Sequence, residues 1–169
     1  KMSAPDDNHP FGQHIRGLYE THIPVRDLEQ SVMFYRDILG LQLARSIPER
    51  NVAFFWVGNR KQSMLGLWGS GSAPMGMRLH YAFRSDLNGV LSLPEKLIQA
   101  GQQPLGFNGE PVDEPVVIGW MPAVSIYLKD PDGHSLEVLA ILNERPDLDF
   151  GVRSYSDWIT NRTKDGGVG

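Results

Sequence analysis

His22-Ile-Pro-Val-Arg-Asp-Leu28 and His80-Tyr-Ala-Phe-Arg-Ser-Asp-Leu87 are two versions of one pattern. Each opens on a histidine in a short strand-like run, turns at an Arg and an Asp, and passes into a helical stretch. In the first copy Asp27 is placed to cap the helix, with Gln30 three residues on as its capping-box partner. Leu28, Val32, Tyr35 and Leu39 recur on one helical face, and Gly40 supplies the left-handed stop. In the second copy Pro94 would cost about 3 kcal/mol inside a helix. The spacing there predicts a short helix over 93–100, capped by Ser92 and stopped by Gly101.

Strand-like runs follow each helix. They are Leu41–Ile47, Ala53–Val57 and Ser63–Trp68 in the first half, then Pro104–Phe107, Val116–Trp120, Ala123–Lys129 and Ser135–Ile141 in the second. Asp130-Pro131-Asp132-Gly133 has the residues of a type I turn between the last two. The reading is βαβββ twice, an α+β fold with modules 15–70 and 77–142 forming a cupped mixed β-sheet with flanking helices. Residues 1–14 read as a flexible tail. Residues 143–169 read as an extension whose Phe150, Tyr155 and Trp158 cover the core from a short helix, with 164–169 disordered.

Composition narrows the function classes. Over 169 residues the chain is 41% hydrophobic and 21% charged, with a net charge of -4. That balance, without a Lys/Arg cluster, argues against a nucleic-acid partner. No apolar run approaches the ~18 residues needed to cross a bilayer, so no membrane partner is expected. A secretory leader pattern is missing as well, and the cytoplasm is the expected compartment. Cysteine is absent, which removes thiolate ligands and a cysteine nucleophile.

Alternation along a strand places Glu20, His22 and Pro24 on one face, and Arg78, His80 and Ala82 on one face. The repeat gives His22 and His80 equivalent positions. Glu137, on the last hairpin, completes two His and one carboxylate, a set that binds a divalent first-row metal and leaves positions open for water or substrate. Tyr127, on the facing hairpin strand with Ser125, is a candidate proton or hydrogen-bond donor. Glu20 is a candidate general base. Arg78, Ser125 and Trp68 are candidates for substrate contact. Met64, Met75, Met77, Trp120 and Met121 are candidates for an apolar pocket wall, and His134 is expected at the surface or behind the ligands. Arg26 and Arg84 are expected to pair with Asp27 and Asp86.

Three stretches carry a family resemblance. His22-Ile-Pro-Val-Arg-Asp-Leu through Phe34-Tyr35, with Leu39-Gly40-Leu41, resembles the opening strand, helix and stop of the vicinal-oxygen-chelate superfamily. His80-Tyr-Ala-Phe83 resembles its middle ligand strand, and Asp130-Pro-Asp-Gly-His-Ser-Leu-Glu137 its closing hairpin. That superfamily groups glyoxalase I, fosfomycin-resistance proteins, extradiol dioxygenases and bleomycin-resistance proteins. The resemblance implies a metalloenzyme that chelates two neighbouring oxygens of a small substrate on one divalent ion (Fe2+, Mn2+, Zn2+ or Ni2+), in a homodimer. The alternative it implies is a drug- or metabolite-binding protein without catalysis.

Departures from each branch are equally legible. Gly66 stands where glyoxalase I carries a fourth ligand. Pro24 replaces the Thr of fosfomycin-resistance proteins, and the loop Phe107–Pro115 is acidic where theirs is basic. Leu65 occupies the place of the extradiol dioxygenases' catalytic His.

Overall fold

The computed structural model describes residues 17–69 and 78–165, with side chains described through residue 162. The tail 1–14, Met75, Met77 and residues 166–169 lie outside the described residues. In the first module β1 (Glu20–Val25), β2 (Gln42–Ile47), β3 (Val52–Val57) and β4 (Ser63–Gly69) form a sheet of order β1-β4-β3-β2. In the second, β5 (His80–Arg84), β6 (Val116–Ile118), β7 (Ala123–Lys129), β8 (Ser135–Ile141) and β9 (Val152–Ser154) form a sheet of order β5-β8-β7-β6-β9. Each histidine strand runs parallel to one neighbour, β1 to β4 and β5 to β8, and the other pairings are antiparallel. The α+β reading with two repeated modules holds, and each module builds its own mixed sheet.

The first helix, α1 (Leu28–Met33), starts as expected. Asp27 is the N-cap and its carboxylate accepts from the Gln30 backbone N–H at 3.0 Å. From Phe34 to Ile38 the helix widens into a π turn, so Phe34 and Tyr35 are both buried. Gly40, at φ +70, then ends it.

The second helix departs from expectation. α2 spans Leu87–Gln99, capped by Asp86, with Pro94 inside it. Val90, Pro94 and Leu97 form its buried stripe, and that burial offsets the proline's cost. Ser92 does not cap; its hydroxyl donates to the Gly89 carbonyl at 3.1 Å. Pro104–Phe107 is not a strand either. Leu105 makes only isolated bridges to Pro111 and Tyr127, and the Gly106 N–H closes a loop onto the Glu110 carbonyl. The strand expected at Val116–Trp120 stops at Ile118, because Gly119 packs so tightly on the Asp147 carbonyl that a Cβ would sit 2.4 Å from it. The extension contributes β9 as well as α3 (Tyr155–Asp165), with Trp158 buried against Phe150. Residues 164 and 165 belong to that helix.

What positions the site is the way the two modules meet. Ile23, Val25, Phe55, Leu65 and Leu67 from the first sheet share one core with Leu97, Leu128 and Leu136 from the second module. The opposite faces, with His22 and His80, are turned away from that core. At the seam His134 is fully buried, not superficial. Its Nδ1 accepts from the Leu79 backbone N–H at 3.0 Å, so the proton is on Nε2, which donates to the Pro24 carbonyl at 2.7 Å. One ring thereby ties β1 to the start of β5. Beside it Asp130 Oδ2 accepts from the Tyr35 hydroxyl at 2.9 Å, and Tyr35 also contacts the Tyr81 hydroxyl. Arg26 meets Asp132 rather than Asp27; its backbone N–H donates to that carboxylate at 2.8 Å.

Candidate metal half-sites

On the second sheet, His80 Nδ1 lies 3.1 Å from the Ser135 carbonyl oxygen. A carbonyl only accepts, so Nδ1 carries the proton and Nε2 presents a lone pair. That lone pair faces Glu137 Oε2 at 3.4 Å. In the neutral ring, two electron-rich atoms are thus held face to face, an arrangement that a proton or a metal cation between them would satisfy. A backbone carbonyl behind the ring is also the arrangement that orients metal-ligating histidines. Glu137 is buried, with a side-chain exposure of 8%, and its other oxygen accepts from the Tyr127 hydroxyl at 3.0 Å. The register explains the trio: Tyr127 pairs across from Glu137 on β7–β8, and His80 lies two residues from Glu137's partner Ala82. Burial, then the negative charge of Glu137, pushes the Tyr127 pKa well above its ordinary value, so the phenol keeps its proton at neutral pH.

These residues floor a cavity of about 510 Å3 that Phe107, Asn108, Ile118, Trp120 and Lys129 also line. Phe107 meets the Tyr127 ring edge-on at 6.1 Å between centroids, and Trp120 is largely exposed at the rim.

The first sheet carries a different arrangement. His22 Nδ1 accepts from the Trp68 indole N–H at 2.9 Å, and Nε2 lies 3.4 Å from Glu20 Oε2. The His22 and Trp68 rings are stacked, and Phe54 meets His22 edge-on. Arg50 lies over the other ring, 5.2 Å from the Trp68 centroid. Gly66 is what admits this packing. It pairs with His22 across β1–β4, and a Cβ there would lie 2.9 Å from His22 Cδ2 and 3.1 Å from Phe54 Cε1.

Among the described residues no group of three His, Asp or Glu lies close enough to hold a metal ion. One chain thus brings His80, Glu137 and Tyr127 together, and separately His22, Glu20 and Trp68. Ser125 is fully buried on the Tyr127 face and does not line the cavity. Arg78 lies over the Gly133 turn, outside it.

With this geometry in hand, the chain can be set beside known proteins. The profile of the Glyoxalase/Bleomycin resistance protein/Dioxygenase superfamily matches residues 13–138. The chain belongs to that superfamily. It is 29% identical over 131 residues to a probable lactoylglutathione lyase from Synechocystis sp., covering 72% of this chain and 93% of the relative. An integron cassette protein from the mobile metagenome of a Halifax Harbour sewage outfall is similar in structure. It has 32% identity and a TM-score of 0.65, over 75% of this chain and all of that one. The lactoylglutathione lyase of Agrobacterium tumefaciens shares the fold at 24% identity and a TM-score of 0.58, over 75% of this chain and 94% of that one.

Superfamily membership accounts for the strands that carry the histidines and Glu137. It does not account for the cavity wall, which sequence reasoning largely missed. Lys129 was within reach of alternation, two residues from Tyr127 on the same strand. Phe107 and Asn108 come from a loop with no periodic signal. No described helix is long and apolar enough to cross a membrane.

Proposed function

We propose that this chain is a divalent-metal enzyme acting on a small, oxygen-rich substrate, with His80 and Glu137 holding the ion and His22 of the partner subunit completing the set in a homodimer. The observation that carries this reading is the His80 lone pair facing the Glu137 carboxylate at 3.4 Å, with a carbonyl behind one and a phenol behind the other. The two faces that bear histidine point away from the shared core. Their side chains are 38% exposed at His22 and 54% at His80, so a second copy is the natural source of the third ligand. Two His and one carboxylate suit Fe2+, Mn2+, Zn2+ or Ni2+.

A bound ion would act as a Lewis acid on two neighbouring substrate oxygens. The remaining work falls to the chain. Tyr127, protonated at neutral pH, donates to Glu137 Oε1 and leaves Oε2 for the ion. It serves as a hydrogen-bond or proton donor, not as a base. Phe107 and Trp120 supply apolar surface at the cavity rim, with Lys129 offering a positive charge for an anionic substrate. Glu20 would reach the cavity from the partner subunit as a candidate base, with Trp68 beside it a candidate for substrate contact; Arg78 and Ser125, which lie off the cavity, take no part in it.

The test is metal titration of the chelator-stripped chain. Binding and a rise in melting temperature are expected for at least one of the four ions. Loss of an outer partner alone costs about 10–100-fold in metal affinity, so Glu137→Gln should lose more. If the unmodified chain binds none of the ions, the reading fails and a binding protein without catalysis takes its place.

A further inference from the structure

The two histidines differ in where they hold their proton, and the difference is set by Trp68. An indole N–H can only donate, so the His22 nitrogen it meets at 2.9 Å must present a lone pair. A neutral imidazole then carries its proton on Nε2, which is the nitrogen facing Glu20 at 3.4 Å. Nε2 is also the atom left for a metal, because the Nδ1 lone pair is taken by the indole N–H. A nitrogen cannot hold a proton and ligate at once. Metal on Nε2 and the indole on Nδ1 exclude each other as long as the ring is neutral.

We infer that Trp68 is a positioning residue that holds His22 in the non-ligating tautomer, and that metal capture by His22 requires the indole N–H to give way. The inference rests on the proposal that His22 ligates. For Nε2 to hold an ion, the His22 proton would have to move from Nε2 to Nδ1 and the Trp68–His22 hydrogen bond would have to break. The ring stays neutral throughout and releases no net proton. His80 needs no such step, since the Ser135 carbonyl already fixes its proton on Nδ1. Trp68 therefore weakens metal capture at one histidine by about the worth of one hydrogen bond.

Zinc is the probe, added to the chelator-stripped full chain and followed by competition with a chromophoric chelator. His22→Ala should weaken zinc binding, whereas Trp68→Phe, which keeps a ring over His22 without an N–H, should tighten it about three- to tenfold. Histidine 15N spectra of the unmodified chain give a second readout that needs no variant. Without zinc the His22 proton should be on Nε2, and with zinc on Nδ1. If zinc binds equally well in His22→Ala, the ligand reading fails and this inference fails with it; if zinc does not bind at all, this inference fails while the ligand reading passes to the other three ions. If His22→Ala weakens binding but Trp68→Phe does not tighten it, or the zinc-free spectrum already shows the proton on Nδ1, Trp68 has no such role and the ligand reading stands.

Discussion

The two modules share a topology and each carries a histidine on its first strand, yet they surround it in opposite ways. His80 is backed by a carbonyl and faces a buried carboxylate that a tyrosine steadies. His22 is backed by an indole donor, faces an exposed carboxylate, and lies over a glycine. In the proposed function, one half-site would take a cation as it stands. The other must rearrange. Symmetry of topology therefore did not carry symmetry of chemistry: His80 pairs with Ser135, two residues before Glu137, and Tyr127 lies across from Glu137, whereas His22 pairs with Gly66 and Phe54 lies across from that glycine.

The comparison is sharpest where two aromatic substitutions should act with opposite sign. Tyr127→Phe removes the donor that fixes Glu137, and metal affinity should fall about 10–100-fold in equilibrium titrations. Trp68→Phe should move it the other way. Equal signs would break the contrast between the half-sites. The next effect concerns the glycine. Gly66→Ala drives a methyl group into the His22 and Phe54 rings, and should cost about 1–3 kcal/mol in urea unfolding, with the His22 ring resonances shifted. A neutral result would mean that His22 does not lie over β4.

The smallest effect is expected at the seam, where the modules meet through Asp130. Burial holds its carboxyl above the ordinary range, against the hydrogen bonds that favour the charge. A carboxyl raised on folding contributes stability that is complete below its unfolded value, near pH ~4, and is lost as pH rises through its folded value. Stability attributable to Asp130 should therefore decline with rising pH just above that range. Asp130→Asn should flatten that decline and change stability at neutral pH by no more than about 1 kcal/mol. Urea midpoints across pH, wild type minus variant, give the slope directly.

Much of this was legible in the chain. The Asp27 cap, the Gly40 stop and the full extent of β7 and β8 follow from local rules, and the His80–Glu137 pairing follows from adjacent strands in one module. The π turn at Phe34–Ile38 and the buried Pro94 do not, because burial across the seam outweighs local preference at both. The placement of His22 was the least legible. Alternation says which residues share a face, and His22 does share one with Glu20. It cannot say whether that face meets His80 in the same chain. That depends on Leu97, Leu128 and Leu136 packing with the first sheet, a contact between distant segments with no local signature. His134 was misread for the same reason: its partners, Pro24 and Leu79, lie in different modules.

The central claim is that a metal site takes His22 from one copy and His80 with Glu137 from another. Mixing two inactive variants tests it most directly. A purified mixed dimer, one copy carrying His22→Ala and the other Glu137→Gln with distinct affinity tags, retains one intact set if ligands are shared across copies. The account predicts one tightly bound metal ion in that mixed dimer and none in either parent dimer. A mixed dimer that binds no more metal than its parents, or an unmodified chain that holds its ion as a monomer, would contradict it.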